Sequence, residues 1–203
     1  MASITLASKN NTDSQAGLKQ RFIPLWLVLC GLLFSTASHA SGITIESASS
    51  RLKDNVHLLD ADIDYAFSDE ALEALANGIP LTIRLDIEVQ RKRAWYLPDA
   101  DIASLEQRYQ LLFHALSDRY MVINLNSGTF YAYPTRASAI SALGTLRDFP
   151  LLDDKLIEKG EHYRVQMRAE LDIEALPSPL RPVAYLTPAW RLKSEWYAWS
   201  LTR

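Results

Sequence analysis

Leu81 to Gln90 reads Leu-Thr-Ile-Arg-Leu-Asp-Ile-Glu-Val-Gln, an unbroken alternation of apolar and polar side chains. Successive side chains of an extended strand point to opposite faces. Leu81, Ile83, Leu85, Ile87 and Val89 therefore share one face, and Thr82, Arg84, Asp86, Glu88 and Gln90 share the other. A helix would scatter the same residues around its axis, so this stretch is a strand with one dry and one wet face. The period recurs from Glu161 to Ile173, where Tyr163, Val165, Met167, Ala169, Leu171 and Ile173 form the dry set. It recurs again from Val56 to Phe67, where Leu59, Ala61, Ile63, Tyr65 and Phe67 alternate with Asp60, Asp62 and Asp64. Strands with one solvated face belong to antiparallel sheets.

The remaining segments follow from turn and cap signals. Ile43 to Leu52 and Val56 to Phe67 form a hairpin about Lys53-Asp54-Asn55. Ser68 caps a helix from Asp69 to Ala76, and Asn77-Gly78 with Pro80 stops it. Ser104 to Leu116 and Arg119 to Leu125 form a second hairpin turning at Ser117-Asp118, followed by a short strand from Thr129 to Tyr133. Thr135 to Arg147 reads as a helix burying Ala139, Ile140, Leu143 and Leu146. Pro177, Pro179 and Pro182 forbid regular structure between Ile173 and Trp190, and Trp190 to Leu201 reads as a last strand. The expected fold is mainly β: an antiparallel, β-sandwich-like domain of seven or eight strands with two short helices. The alternative is a single twisted antiparallel sheet with both helices on one face.

The first forty residues read as a signal peptide ahead of one β-rich domain, 41–203. Lys19 and Arg21 precede the apolar run Phe22 to Phe34, and Ser38-His39-Ala40 offers small residues for cleavage after Ala40. The alternative is an uncleaved anchor in the inner membrane, although the run is short of the ~20 apolar residues a span needs. The single cysteine, Cys30, lies in that run, so the exported chain would carry no disulfide and no thiolate chemistry. Loss of Lys9, Lys19, Arg21 and Asp13 with the leader moves the net charge from -3 to -5, which argues against a nucleic-acid partner. Membrane contact is then expected only through the leader, if uncleaved.

The chemistry-bearing groups are sparse. Asp60, Asp62 and Asp64 stand ~7 Å apart on one strand face. A calcium loop needs a glycine turn and a distal Glu, and neither is present. A solvated face paired with arginines such as Arg84, Arg164 or Arg168 is the better reading. His57, His114 and His162 have no metal spacing, and no Gly-x-Ser-x-Gly elbow or phosphate loop occurs. His114, in Leu111-Leu-Phe-His-Ala-Leu116, reads as a buried core histidine rather than a hydrolase base. No metal, cofactor or catalytic residue is expected. In the last strand Tyr197 and Trp199 fall on the polar face, as a binding platform or as packing under a neighbouring element.

The alternation of the first strand ends in Arg91-Lys-Arg-Ala-Trp-Tyr96. Continued regularly, it would bury Arg91 and Arg93 unpaired. Leu81 to Tyr96 fully extended would also span ~53 Å, against a domain diameter of about 40 Å. The strand must therefore bulge near Gln90 or leave the core. Arg91, Arg93, Trp95 and Tyr96 are expected at a rim. There the arginines take a carboxylate or phosphate, pair within the chain, or keep an exposed strand end from pairing with another chain.

Four stretches resemble a bacterial family, domain of unknown function 4390. They are Arg108-Tyr-Gln-Leu-Leu-Phe-His-Ala-Leu-Ser-Asp-Arg-Tyr120, Arg93-Ala-Trp-Tyr96, Leu176-Pro-Ser-Pro-Leu180 and Trp190-Arg-Leu-Lys-Ser-Glu-Trp196. The resemblance spans essentially all of residues 41–203. It implies an exported, periplasmic envelope protein without assigned catalytic residues, and a signalling partner such as a sensor kinase. The expected function is a non-catalytic binding or interaction module, using Arg91, Arg93, Trp95, Tyr96, Tyr197 and Trp199. The alternative is a small-ligand or lipid-headgroup binder at the same rim, and a hydrolase using His114 with an acid is the remote one.

Overall fold

The computed structural model describes residues 41–201, so the leader, Cys30 and the cleavage site after Ala40 lie outside the described residues. Two antiparallel sheets are formed. The smaller is ordered β1-β2-β7, from β1 (Gly42–Lys53), β2 (Val56–Ala66) and β7 (Thr145–Asp153). The larger is ordered β6-β5-β4-β3-β8-β9. Its strands are β3 (Leu81–Arg91), β4 (Ala100–His114), β5 (Arg119–Asn124), β6 (Phe130–Tyr133), β8 (Tyr163–Leu171) and β9 (Tyr197–Ser200). Three short helices complete the fold: α1 (Asp69–Ala76), α2 (Arg136–Leu143) and α3 (Arg181–Leu186). Among the described residues no helix is long and apolar enough to cross a membrane.

β3 occupies the middle of the larger sheet, with β4 and β8 on its two sides in antiparallel register. Leu81, Ile83, Leu85, Ile87 and Val89 are buried, and the dry faces of β2 and β8 join them in one core. The mainly β, two-sheet architecture expected from the alternation is what forms. The hairpins form too: β1 and β2 turn through Asp54 and Asn55, whose φ values of 51° and 64° are those of a type I′ turn. Ser68 caps α1, its hydroxyl accepting from the Ala71 amide at 3.2 Å.

The fold differs from the sequence expectation in four places. The described residues form nine strands and three α-helices where seven or eight strands and two helices were expected. The extra strand is β7, because the helix predicted to run to Arg147 stops at Leu143. Gly144 lies against β2, where its carbonyl accepts from the Ile63 amide at 2.8 Å. A Cβ on Gly144 would lie 2.2 Å from the Ile63 carbonyl oxygen. The chain passes too close to β2 there to continue a helix, and it turns into a strand paired with it. The proline-rich segment contains α3, because Pro182 sits in the first turn, where a missing amide costs nothing. The last strand shortens to Tyr197–Ser200, since Trp190 ends a 3-10 turn and only Lys193 bridges to Glu170 before it.

Finally, His114 is not in the core. It ends β4 exposed, with Nδ1 3.0 Å from the Ser117 hydroxyl across the turn. β4 has there run past the end of β3, whose ladder stops at Leu111, and pairs only with β5, so the apolar neighbours of His114 do not enclose it. The buried histidine is His57 on β2, whose Nε2 lies 3.0 Å from Asp154 Oδ1.

Gly144→Ala tests the close approach. Since the clash is with backbone, it cannot be relieved by a side-chain rotation. A loss of about 2 kcal/mol or more is expected in chemical denaturation, at the upper part of the range for overpacking. A variant as stable as the wild type would mean that α2 and β2 are not in contact at this point.

Candidate functional site

The basic-aromatic stretch sits where the sequence places it, at the end of β3. The β3–β4 register shifts between Val89 and Gln90, and β3 ends at Arg91. Of the two expected outcomes, departure from the core is the one that occurs: the extra residue at the shift is Ile102 of β4, and β3 itself stays in regular register with β8 through Arg91. The loop that follows, residues 92–99, is held at its root. The Lys92 amide donates to the His162 carbonyl at 2.9 Å, and the Arg93 amide to Asp99 Oδ1 at 3.2 Å. A turn closed by the Leu97 amide donating to the Ala94 carbonyl, 2.8 Å, forms its tip.

That tip carries three consecutive apolar side chains into solvent. Trp95 is 95% exposed, Tyr96 68% and Leu97 48%. The two rings meet edge to face, with centroids 5.8 Å apart. Isolated exposed apolar residues are ordinary, but contiguous ones with a rigid root mark surfaces that meet something else. The cations divide. Arg91 is spent within the chain, its Nη1 2.7 Å from Glu158 Oε1. Lys92 and Arg93 make no side-chain ion pair among the described residues. The rim therefore offers Lys92, Arg93, Trp95 and Tyr96, not Arg91.

Tyr197 and Trp199 lie elsewhere. β9 pairs with β8 so that Tyr197 is opposite Met167 and Trp199 opposite Val165, both fully buried. The two rings are half-buried against the core, and the Trp199 indole N–H donates to the Ser50 hydroxyl of β1 at 3.3 Å. They close the edge between the two sheets instead of forming an open platform. The exposed aromatic of this segment is Trp196, which the alternation puts on the dry face. The Arg168 guanidinium lies 4.5 Å from its ring centroid, a cation–π contact. The irregular chain before Tyr197 breaks the period that would have predicted this.

Asp60 and Asp62 of the β2 aspartate face are paired within their own sheet, and Asp64 is exposed. Asp60 takes Arg51 and accepts from the Asp148 amide at 2.9 Å. Asp62 takes Arg147 and accepts from the Ser47 hydroxyl at 3.0 Å. The expected partners Arg84 and Arg168 are on the other sheet, engaged with Asp86 and Glu170, because the arginines that β2 can reach are those of its sheet neighbours β1 and β7. The hydrogen bonds from Arg147 and Ser47 hold the Asp62 carboxyl below its ordinary pKa of 3.8. Two concavities flank this region. A cleft of about 570 Å³ is lined by Asp62, Asp64, Glu46 and Arg136. A smaller one of about 280 Å³ under β6 is lined by Tyr109, Tyr131 and Tyr133, with no charged residue.

A family model described as Domain of unknown function (DUF4390) matches residues 40–200. The match takes in both sheets and the rim. No curated protein and no solved structure matches the chain.

The lowered pKa of Asp62 makes a signed prediction. A carboxyl with a depressed folded-state pKa contributes stability above its ordinary value and loses it as pH falls through the depressed one. Wild type should therefore melt above Asp62→Asn at neutral pH, and the two curves should converge only as acidification passes through and below the ordinary value of 3.8. A gap that stays constant over that range would show that the Arg147 contact is not electrostatic.

Proposed function

The chain belongs to the DUF4390 family, and we propose that it is an exported, periplasmic binding module without catalytic function, which meets a protein partner of the envelope through the β3–β4 tip. The observation that carries this reading is the near-complete exposure of Trp95 beside Tyr96 and Leu97 on a hydrogen-bonded turn. Folding makes no use of the Trp95 ring, so its burial is left for a second molecule. Trp, Tyr and Arg are the side chains that most often dominate protein interfaces. Arg93 and Lys92, at the root of the turn, supply charge to orient an acidic partner surface. An envelope sensor, as the resemblance implies, fits this description. The unpaired Lys92 and Arg93 also support a second reading, in which the tip meets a lipid phosphate.

A photoreactive amino acid in place of Trp95, introduced into the full chain in its own host, tests the reading. Irradiation should yield an adduct with one envelope protein. The same group in place of Leu116, which is 96% exposed on the β4–β5 turn, should not give that adduct. Arg93→Ala and Tyr96→Ala should each weaken the adduct, and Trp95→Ala should weaken binding of the identified partner by ~2 kcal/mol, about 30-fold. A lipid adduct in place of a protein one selects the second reading. Equal protein labelling from both positions, or none from position 95, overturns the proposal.

A further inference from the structure

Among the described residues, the larger sheet ends in a strand with one side unpaired. β6 pairs on one side only, with β5: Tyr120 opposite Tyr133, Met121 opposite Ala132, Val122 opposite Tyr131 and Ile123 opposite Phe130. The Asn124 amide donates to the Thr129 carbonyl at 2.8 Å and its carbonyl accepts from the Gly128 amide at 2.8 Å, so a glycine bulge just ahead of β6 puts Asn124 and Thr129 at a hydrogen-bonded position of the ladder. Antiparallel pairs alternate, so the backbone groups of Tyr131 and Tyr133 also face β5, while those of Phe130 and Ala132 face outward. The open edge thus presents two amides and two carbonyls. Phe130 is 60% exposed, Tyr131 65%, and Ala132 is exposed as well.

The other three edges are defended in the ways edge strands usually are. β1 carries Glu46, Arg51 and Lys53. β7 carries Arg147, Asp148 and Pro150, with two register shifts against β2. β9 lies beside β1 and is tied to it by the Trp199–Ser50 hydrogen bond. β6, Phe-Tyr-Ala-Tyr, has no charge, no proline and no bulge.

We propose that β6 is a self-association edge, where two copies of this chain pair antiparallel about a twofold axis at Tyr131. This pairing uses everything the edge offers. Phe130 falls opposite Ala132 of the second copy, and Ala132 opposite its Phe130, each as a hydrogen-bonded pair. Four hydrogen bonds form, and no outward amide or carbonyl between Phe130 and Ala132 is left over. The side chains match as well, since the large Phe130 faces the small Ala132 twice on one side of the sheet. Tyr131 faces its own copy on the other side, an aromatic cross-strand pair. A neutral edge meets itself without like-charge repulsion, which a charged edge could not. A second copy is preferred to an unrelated strand because the edge is its own complement in hydrogen bonding, size and charge. The contact is separate from the β3–β4 tip and does not depend on that tip's role.

The protein purified from the envelope, followed by sedimentation velocity from ~1 to ~500 μM, should shift from monomer to dimer. Ala132→Pro removes an amide that no bond within the chain uses, so the fold should survive. It should raise the dimer dissociation constant by about tenfold or more. Tyr131→Lys, which places like charges across the axis, should do the same without touching the backbone. In the Cys30→Ser background, Tyr131→Cys should give a disulfide-linked dimer under mild oxidation, since the two Cα atoms would lie ~4.5 Å apart. A monomer over the whole concentration range overturns the proposal. So does a dimer that neither variant weakens, or a Tyr131→Cys chain that stays unlinked while dimeric.

Discussion

Leu81, Ile83, Leu85, Ile87 and Val89 are removed from water on one face of β3, and the rest of the molecule can be derived from the need to cover that face. At ~25 cal/mol per Å² of apolar surface, each contributes about 1.5–3 kcal/mol if fully buried. No single neighbour can achieve that. β4 and β8 satisfy the backbone of β3 on either side, and β1, β2 and β7 supply the apolar layer that lies over it. The cap on α1 and the close approach of Gly144 to Ile63 fix where the chain crosses between the sheets. Without a cysteine after Cys30, the domain rests on this burial and on its ladders.

The opposite face of β3 solves a different problem. Arg84, Asp86, Glu88 and Gln90 are half-buried, flanked by Arg168 and Glu170 from β8. Arg168 reaches Asp86 at 2.7 Å, and Arg84 holds Glu170 while lying 3.4 Å from Asp86. The Nε atoms of Arg84 and Arg168 are buried without a well-aligned acceptor, so these contacts are ion pairs of proximity on that side of each guanidinium. Such a network adds little net stability per pair. It does fix register, because a slip by one residue would turn the apolar set outward, and a slip by two would set Arg84 opposite Arg168 or Asp86 opposite Glu170. Asp86 opposite Arg168 and Arg84 opposite Glu170 are only possible in the observed alignment.

What was legible in the sequence is what local periodicity controls. β2, β3 and β8 are strands because their side chains alternate, and the turn at Asp54-Asn55 and the Ser68 cap are local chemistry. The rim was legible from a length argument, since a strand longer than the domain is wide must leave it. What was illegible depends on distant neighbours. Nothing between Thr135 and Arg147 announces that Ile63 will stand against Gly144. Nothing near His114 says that β3 ends before reaching it, or that His57 is the histidine the core encloses. The acids of β2 could not be assigned to Arg51 and Arg147 before strand order was known, and Trp199 could not be placed under β1.

The tryptophans show how differently one residue type is used. Trp190 is buried, Trp199 is half-buried and hydrogen-bonded to β1, and Trp196, though exposed, has the Arg168 guanidinium over its ring. Each has a fold-internal reason to be where it is. Trp95 has none: it makes its ring contact with Tyr96, which is itself exposed. A ring of that size in water gains nothing for the folded state, and it is held on a hydrogen-bonded turn whose root is fixed by two further hydrogen bonds. Holding the ring still before contact lowers the entropy lost when a partner covers it. If two chains join through β6, each dimer carries two such tips. A partner with two matching sites would then bind the second at the effective concentration set by the first, which multiplies a modest single contact without any new one. On that reasoning, a dimer through the uncharged edge would present two exposed tips to one partner, while edge and tip stay separate surfaces at opposite ends of β4.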